Sequence, residues 1–185
     1  MKRDAEFHEG LHLVLRALAF AARAHRHQTM PDGVTPYYSH VVRVTWIARE
    51  LFALEDATAL AAAALHDTIE DTTVGWEELA REFGVSVADH VQCLSKAQDG
   101  PEERRETDYL VRLRKAAEPV AIVKLADVYD NVSTRRGTAK MPKTLRNARR
   151  YLDALEGALR SVKARAALGH VEALLTEVEG GPVLS

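Results

Sequence analysis

Two stretches of this 185-residue chain set ionisable side chains among apolar ones. The first is LHDTIED at 65–71, after the Ala-rich run ATALAAAAL. His66 and Asp67 are adjacent, and Glu70 and Asp71 stand at i+4 of each, so the spacing predicts four titratable groups on neighbouring stripes of one helix. Burying such a cluster without compensation costs several kcal/mol or shifts its pKa values. A bound cation supplies that compensation. So does a solvated helix end in which Glu70 and Asp71 cap the next segment. In the second stretch, Asp127 follows Val120-Ala121-Ile122-Val123, with Asn131 at i+4 and Lys124 at i−3. A plain Lys124–Asp127 helix pair, worth a few tenths of a kcal/mol, is the simpler account of that pattern. A third signal is His40 in TPYYSHVVRV, a position that also suits a core or capping residue. Together His40, His66, Asp67 and Asp127 supply two imidazoles and two carboxylates. Such a mixed set suits Mn²⁺, Fe²⁺ or Zn²⁺ better than Ca²⁺, which prefers oxygen alone.

Positive charge is concentrated downstream. Between Asn131 and Leu152 stand Arg135, Arg136, Lys140, Lys143, Arg146, Arg149 and Arg150, with no acidic residue, in a chain of net charge −2. The run reads as a phosphate-facing surface, with a solvated helix face or a nucleic-acid patch as the alternatives. No interleaved aromatic platform supports single-strand binding, which argues against a nucleic-acid partner.

The elements that must position these groups read as helices. Leu11, Val14, Leu15, Leu18 and Ala22 recur at helical steps, Pro31-Asp32-Gly33 signals a turn, and Val41, Val44, Ile47 and Leu51 mark a second helix. Asp56 caps the Ala-rich run, which is apolar all round and therefore a core helix. Short helices are predicted over 73–82 and 86–95, a polar loop over 97–104, and an amphipathic helix over 106–117. Pro119 suits the first turn of the helix that carries Asp127, and Gly137 suits its end. Two more helical units fill 143–174. No period-2 strand competes, so the expected fold is all-α, one domain over 1–178 with a loose tail at 179–185. With 46% hydrophobic residues the chain can fill a core, and its charge balance excludes a histone-like binder. Cys93 stands alone, which excludes a disulfide framework or Cys-based zinc site. With neither a signal-peptide h-region nor a long apolar run, a cytoplasmic protein without a membrane partner is expected. Oligomeric state stays open.

The motifs AHRHQ–PDGVTPYYSH, ALHDTIEDT, EELAREFG and VKLADVYDN, in this order over about residues 15–155, resemble the HD superfamily of metal-dependent phosphohydrolases. Within it they are most similar to the hydrolase domain of the RelA/SpoT family, especially its stand-alone small alarmone hydrolases. The resemblance implies an HD-type helical bundle. It also implies one Mn²⁺ held by His40, His66, Asp67 and Asp127, and water attack on the 3′-pyrophosphate of a ppGpp-like nucleotide with release of pyrophosphate. Glu70 and Asp71 then serve in water activation and proton transfer. Asn131 and Tyr151 fall at substrate-contacting positions, and Lys124 and Arg146 are the cations assigned to the same nucleotide. No synthetase region fits in this length, so a hydrolase alone is expected. One departure stands out. After Gln28 the family carries a basic pair that helps hold base and phosphates, whereas Thr29 and Met30 stand here. The metal chemistry is untouched by that change, but the preference moves toward a different base, such as adenine in ppApp. Phosphatase action on another nucleotide such as NADPH, or a nucleotide sensor of weak activity, are the alternative readings.

Overall fold

Side-chain volume decides the architecture around the Ala-rich run. In a computed structural model, which describes residues 2–180 and their side chains from Glu6 onward, this run is the helix α3, Ala57–Leu65. Asp56 caps it by accepting the Ala59 amide at 2.9 Å. Every residue from Ala59 to Leu65 is buried. The helix is apolar all round because it is packed on both sides, and it contributes to both hydrophobic cores. Ala59, Leu60 and Ala63 face one core, and Ala61, Ala62, Ala64 and Leu65 face the other.

On one side lie α1 (Lys2–Ala24), α5 (Trp76–Phe83) and α6 (Val85–Leu94). On the other lie α7 (Glu102–Leu113), α8 (Glu118–Thr134), α9 (Met141–Leu155) and α10 (Val162–Gly180). The helix α2 (Tyr38–Trp46) bridges α3 and α8 and runs into a π-helical turn, Ile47–Leu51. No sheet forms among the described residues. An isolated bridge between Thr29 and Pro36 closes the turn before α2, where Gly33 takes a φ of +72° and Asp32 accepts the amides of Val34 and Thr35. None of the described helices is long and apolar enough to cross a membrane.

Several boundaries differ from the sequence expectation, among them α5, which starts at Trp76 rather than 73, α7, which ends at Leu113 rather than 117, and α8, which ends at Thr134 rather than at Gly137. The predicted single helix through LHDTIED is broken at His66-Asp67, and α4 (Thr68–Asp71) restarts after it. Two side chains cap the broken end: His66 Nδ1 donates to Ala63 O at 2.8 Å and Thr68 Oγ1 to Leu65 O at 2.7 Å. They occupy carbonyls that a continuing backbone would have bonded. Helix α7 starts at Glu102 rather than 106, because Pro101 sits at its N-cap and Glu102 and Glu103 suit the positive end of the helix dipole. Helix α10 continues to Gly180, so positions 179 and 180 of the expected tail are helical, and 181–185 lie outside the described residues.

Close approach of α1 to α3 depends on Gly10, where an added Cβ would stand 2.9 Å from the Ala57 Cβ. Gly10→Val is therefore expected to destabilise the fold by about 1–3 kcal/mol in chemical denaturation, overpacking outweighing the helix-propensity gain.

Candidate metal centre

The break at His66-Asp67 lies where the two packed halves meet, beside α2 and α8. Three helical segments deliver four ligand-type atoms to one point. His40 Nε2 lies 3.2 Å from His66 Nε2, 3.5 Å from Asp67 Oδ2 and 3.3 Å from Asp127 Oδ1. His66 Nε2 lies 2.9 Å from Asp67 Oδ2 and 3.8 Å from Asp127 Oδ1. Both imidazoles are buried.

The other ring nitrogens settle what this cluster needs. His66 Nδ1 faces the Ala63 carbonyl, and His40 Nδ1 faces Asp130 Oδ2 at 2.6 Å. Both partners are acceptors, so both Nδ1 atoms carry the proton. In the neutral rings both Nε2 lone pairs then point into the cluster, beside two carboxylate oxygens. Four acceptors at such distances repel unless positive charge sits among them. Either extra protons or a cation must supply it, and two nitrogen and two oxygen donors fit a divalent transition ion. Burial opposes charge on His40, but hydrogen bonds from its ring to Asp127, Asp130 and Asp67 outweigh it and hold the ring well above its ordinary pKa. The His66 ring is raised in the same way, mainly by Asp67.

Asp127 is gripped from its own helix. Lys124 Nζ donates to its Oδ2 at 2.8 Å, and Asn131 Nδ2 to its Oδ1 at 2.5 Å. Burial alone would push this carboxyl up; the Lys124 ammonium and the two histidines hold it far below the usual range. The expected Lys124–Asp127 pair thus exists, but it is buried at the cluster rather than solvated. The structure therefore places Lys124 and Asn131, two residues assigned to substrate, as partners of the Asp127 carboxylate that also line the cleft.

That cleft, about 520 Å³, opens above the cluster and is lined by His40, Asp67, Asp127, Glu70, Asp71, Tyr151 and their neighbours. The Lys96 amide donates to Glu70 Oε2 at 2.9 Å and pins that carboxylate to the wall. Burial, with the charges of Asp67 and Glu70, pushes the Asp71 carboxyl up to about 6. The Tyr151 hydroxyl accepts Lys96 Nζ at 2.8 Å, and its ring face lies 4.5 Å from Lys124 Nζ. Helix α9 shows the cleft Lys143, Thr144, Asn147, Ala148 and Tyr151, one stripe at helical spacing. Arg146 falls off that stripe and is exposed away from the lining. Of the seven clustered cations, Arg135, Lys140 and Lys143 line the cleft. Lys143 also pairs with Glu102 at 2.8 Å, and Arg136 and Arg149 pair with Glu177 and Glu179 of α10, as a solvated face would.

Several contributors carried no sequence signal. The Tyr37 hydroxyl donates to Asp67 Oδ2, and Lys96 bridges Tyr151 and Glu106. Asp130 and its partner Arg43 did carry one, since each stands three residues after a ligand on its own helix. Thr29 and Met30 do not line the cleft.

The family model for the HD domain matches residues 17–153 of the chain. The chain belongs to the HD-domain family. Among HD-domain relatives, the guanosine-3′,5′-bis(diphosphate) 3′-pyrophosphohydrolase of Danio rerio is 35% identical over 122 residues, covering 65% of this chain and 67% of that protein. A GTP pyrophosphokinase of Streptomyces coelicolor is 39% identical over 147 residues, which are 77% of this chain but only 17% of that protein. A solved structure of a metazoan ortholog of SpoT, described as hydrolysing ppGpp, superposes with a TM-score of 0.75 at 25% identity, covering 87% of this chain and 94% of that one. The all-α HD fold and the alarmone-hydrolase likeness expected from the motifs are both borne out. This HD domain accordingly holds its His-Asp doublet at a helix break rather than within a continuous helix.

Proposed function

We propose that this protein, acting as one hydrolase domain over residues 1–178, hydrolyses the 3′-pyrophosphate of an alarmone nucleotide and releases pyrophosphate. The substrate is (p)ppGpp or an adenine analogue such as ppApp. The carrying observation is the convergence of two proton-committed imidazoles and two carboxylates at the base of a cleft, His40, Asp67 and Asp127 lining it and His66 buried behind them, with Arg135, Lys140 and Lys143 on its rim. His40, His66, Asp67 and Asp127 would hold one divalent cation, Mn²⁺ in this reading, in a cytoplasmic enzyme. When bound, the ion supplies Lewis acidity and lowers the pKa of water toward neutrality.

The chain's own groups divide the remaining work. Glu70, pinned by the Lys96 amide, accepts a proton from the water that attacks the phosphorus next to O3′. The bond from that phosphorus to O3′ breaks. Asp71, on the wall of the same cleft, serves in proton transfer to O3′. Arg135, Lys140 and Lys143 hold the leaving pyrophosphate, and Asn131 and Tyr151 border the nucleotide. Lys124 serves by keeping Asp127 ionised.

The test is turnover of ppGpp, ppApp, NADPH and simple nucleotides by Mn²⁺-loaded protein, with Asp67→Ala as the blank and pyrophosphate and orthophosphate assayed separately. Pyrophosphate from an alarmone, absent in the blank, is the expected result. Thr29 and Met30 lie outside the cleft lining, so the base preference is read directly from kcat/KM for ppGpp and ppApp side by side. Orthophosphate from another nucleotide would move the protein to the wider phosphatases, and nucleotide binding without turnover would make it a sensor.

A further inference from the structure

The two histidines of the cluster are supported in different ways. His66 Nδ1 donates to a backbone carbonyl, a neutral acceptor built into α3. His40 Nδ1 donates to the buried carboxylate of Asp130, which Arg43 grips in turn through Nε–Oδ1 at 2.6 Å and Nη2–Oδ2 at 3.0 Å. Arg43 is itself tethered, its Nη1 donating to Ser39 Oγ at 3.1 Å. Helix phase explains the assembly. Asp127 and Asp130 lie one turn apart on α8, so that helix holds the His40 ring at both edges, Asp127 near Nε2 and Asp130 at Nδ1. His40 and Arg43 lie one turn apart on α2, so the same turn that presents the ring also presents the guanidinium. Asp130 is only 2% exposed, and its two oxygens receive three charge-assisted or ring donors. A carboxylate at that depth without those partners would be strongly destabilising.

We infer that Asp130 and Arg43 form a positioning pair for the metal centre: Asp130 fixes the Nδ1 proton and ring orientation of His40, and Arg43 fixes Asp130. Neither touches the substrate cleft. A carboxylate on the far nitrogen makes the near nitrogen a stronger donor, and loss of such a partner typically weakens metal binding by about 10–100-fold. The centre is therefore asymmetric. One imidazole is tuned by a replaceable side-chain pair, and the other by backbone that no substitution removes. This inference rests on the metal-binding reading of the four ligands.

Its test is titration of the full-length apoprotein with Mn²⁺, followed calorimetrically and by electron paramagnetic resonance, for wild type, His66→Ala, Asp130→Asn, Arg43→Lys, Arg43→Gln and the Asp130→Asn/Arg43→Gln double variant. Asp130→Asn can still accept the ring proton but loses the charge and one Arg43 contact. It is expected to weaken Mn²⁺ by about 10–100-fold. Arg43→Lys sits at a half-exposed position, keeps the charge and loses the fork, and covers the case in which the Asp130 variant does not fold. It is expected to weaken Mn²⁺ by a smaller factor, and Arg43→Gln by a larger one. In the double variant the Arg43→Gln effect is expected to vanish, because Arg43 acts through Asp130. Wild-type affinity in Asp130→Asn or Arg43→Lys, or losses that simply add, would overturn the pair while leaving the metal site intact. Failure of the wild type to bind Mn²⁺, or unchanged binding in His66→Ala, would instead overturn the metal reading and the pair with it.

Discussion

His66→Ala is expected to lose both stoichiometric Mn²⁺ binding and turnover. The ring supplies one of two nitrogen donors, and its Nε2 lies within 3.8 Å of all three other ligand atoms. Without the ion, water keeps its bulk pKa of 15.7 instead of one near 7, so the rate should fall by at least about 10³-fold. The fold should survive. His40 keeps its contacts to Asp67, Asp127 and Asp130, so the remaining carboxylates stay partnered in the variant. Metal content after gel filtration, circular dichroism and turnover measured on the same preparation check all three parts. A variant that retains one tightly held ion per chain would contradict the assignment.

Glu70→Gln separates chemistry from binding. The glutamine is isosteric, and its carbonyl oxygen can still accept the Lys96 amide that holds Glu70 at 2.9 Å, so the wall keeps its shape. What is lost is a proton acceptor. A decrease in kcat of about 10²–10⁴-fold is expected, with Mn²⁺ affinity and KM near wild type. Steady-state kinetics beside a metal titration decide it. A kcat within about tenfold of wild type would move the base role elsewhere.

The sequence showed the ligand types because each interrupts an apolar helix: His66-Asp67 after an Ala run, Asp127 after Val-Ala-Ile-Val. Burial makes such interruptions costly, so they stand out. The geometry between them was not legible, since His40, His66 and Asp127 belong to segments brought together only by packing across α3. The break at 66–67 was hidden for a local reason. Helix propensity runs straight through LHDTIED, and only the side-chain bonds of His66 and Thr68 to Ala63 and Leu65 end the helix. In α9 the charge run was visible but its phase was not. Which cations face the cleft depends on how α9 docks on α7 and α8, and that turned Arg146 away while admitting Lys143. Tyr37 and Lys96 sit at the ends of elements, where periodicity says nothing about contacts.

The Ala-rich body of α3 has a consequence for where this domain tolerates change. Every side chain from Ala59 to Leu65 is buried in one core or the other, so enlargement there is penalised whichever way it points. The ligands anchored to this helix and to α8 inherit its immobility. The cations at the mouth stand instead on the 135–140 connection and on the outer half of α9, at half-exposed or exposed positions where substitution disturbs little packing. Tolerance is thus divided within one small domain: a floor where substitution is felt in folding, and a rim where it is felt in substrate binding instead.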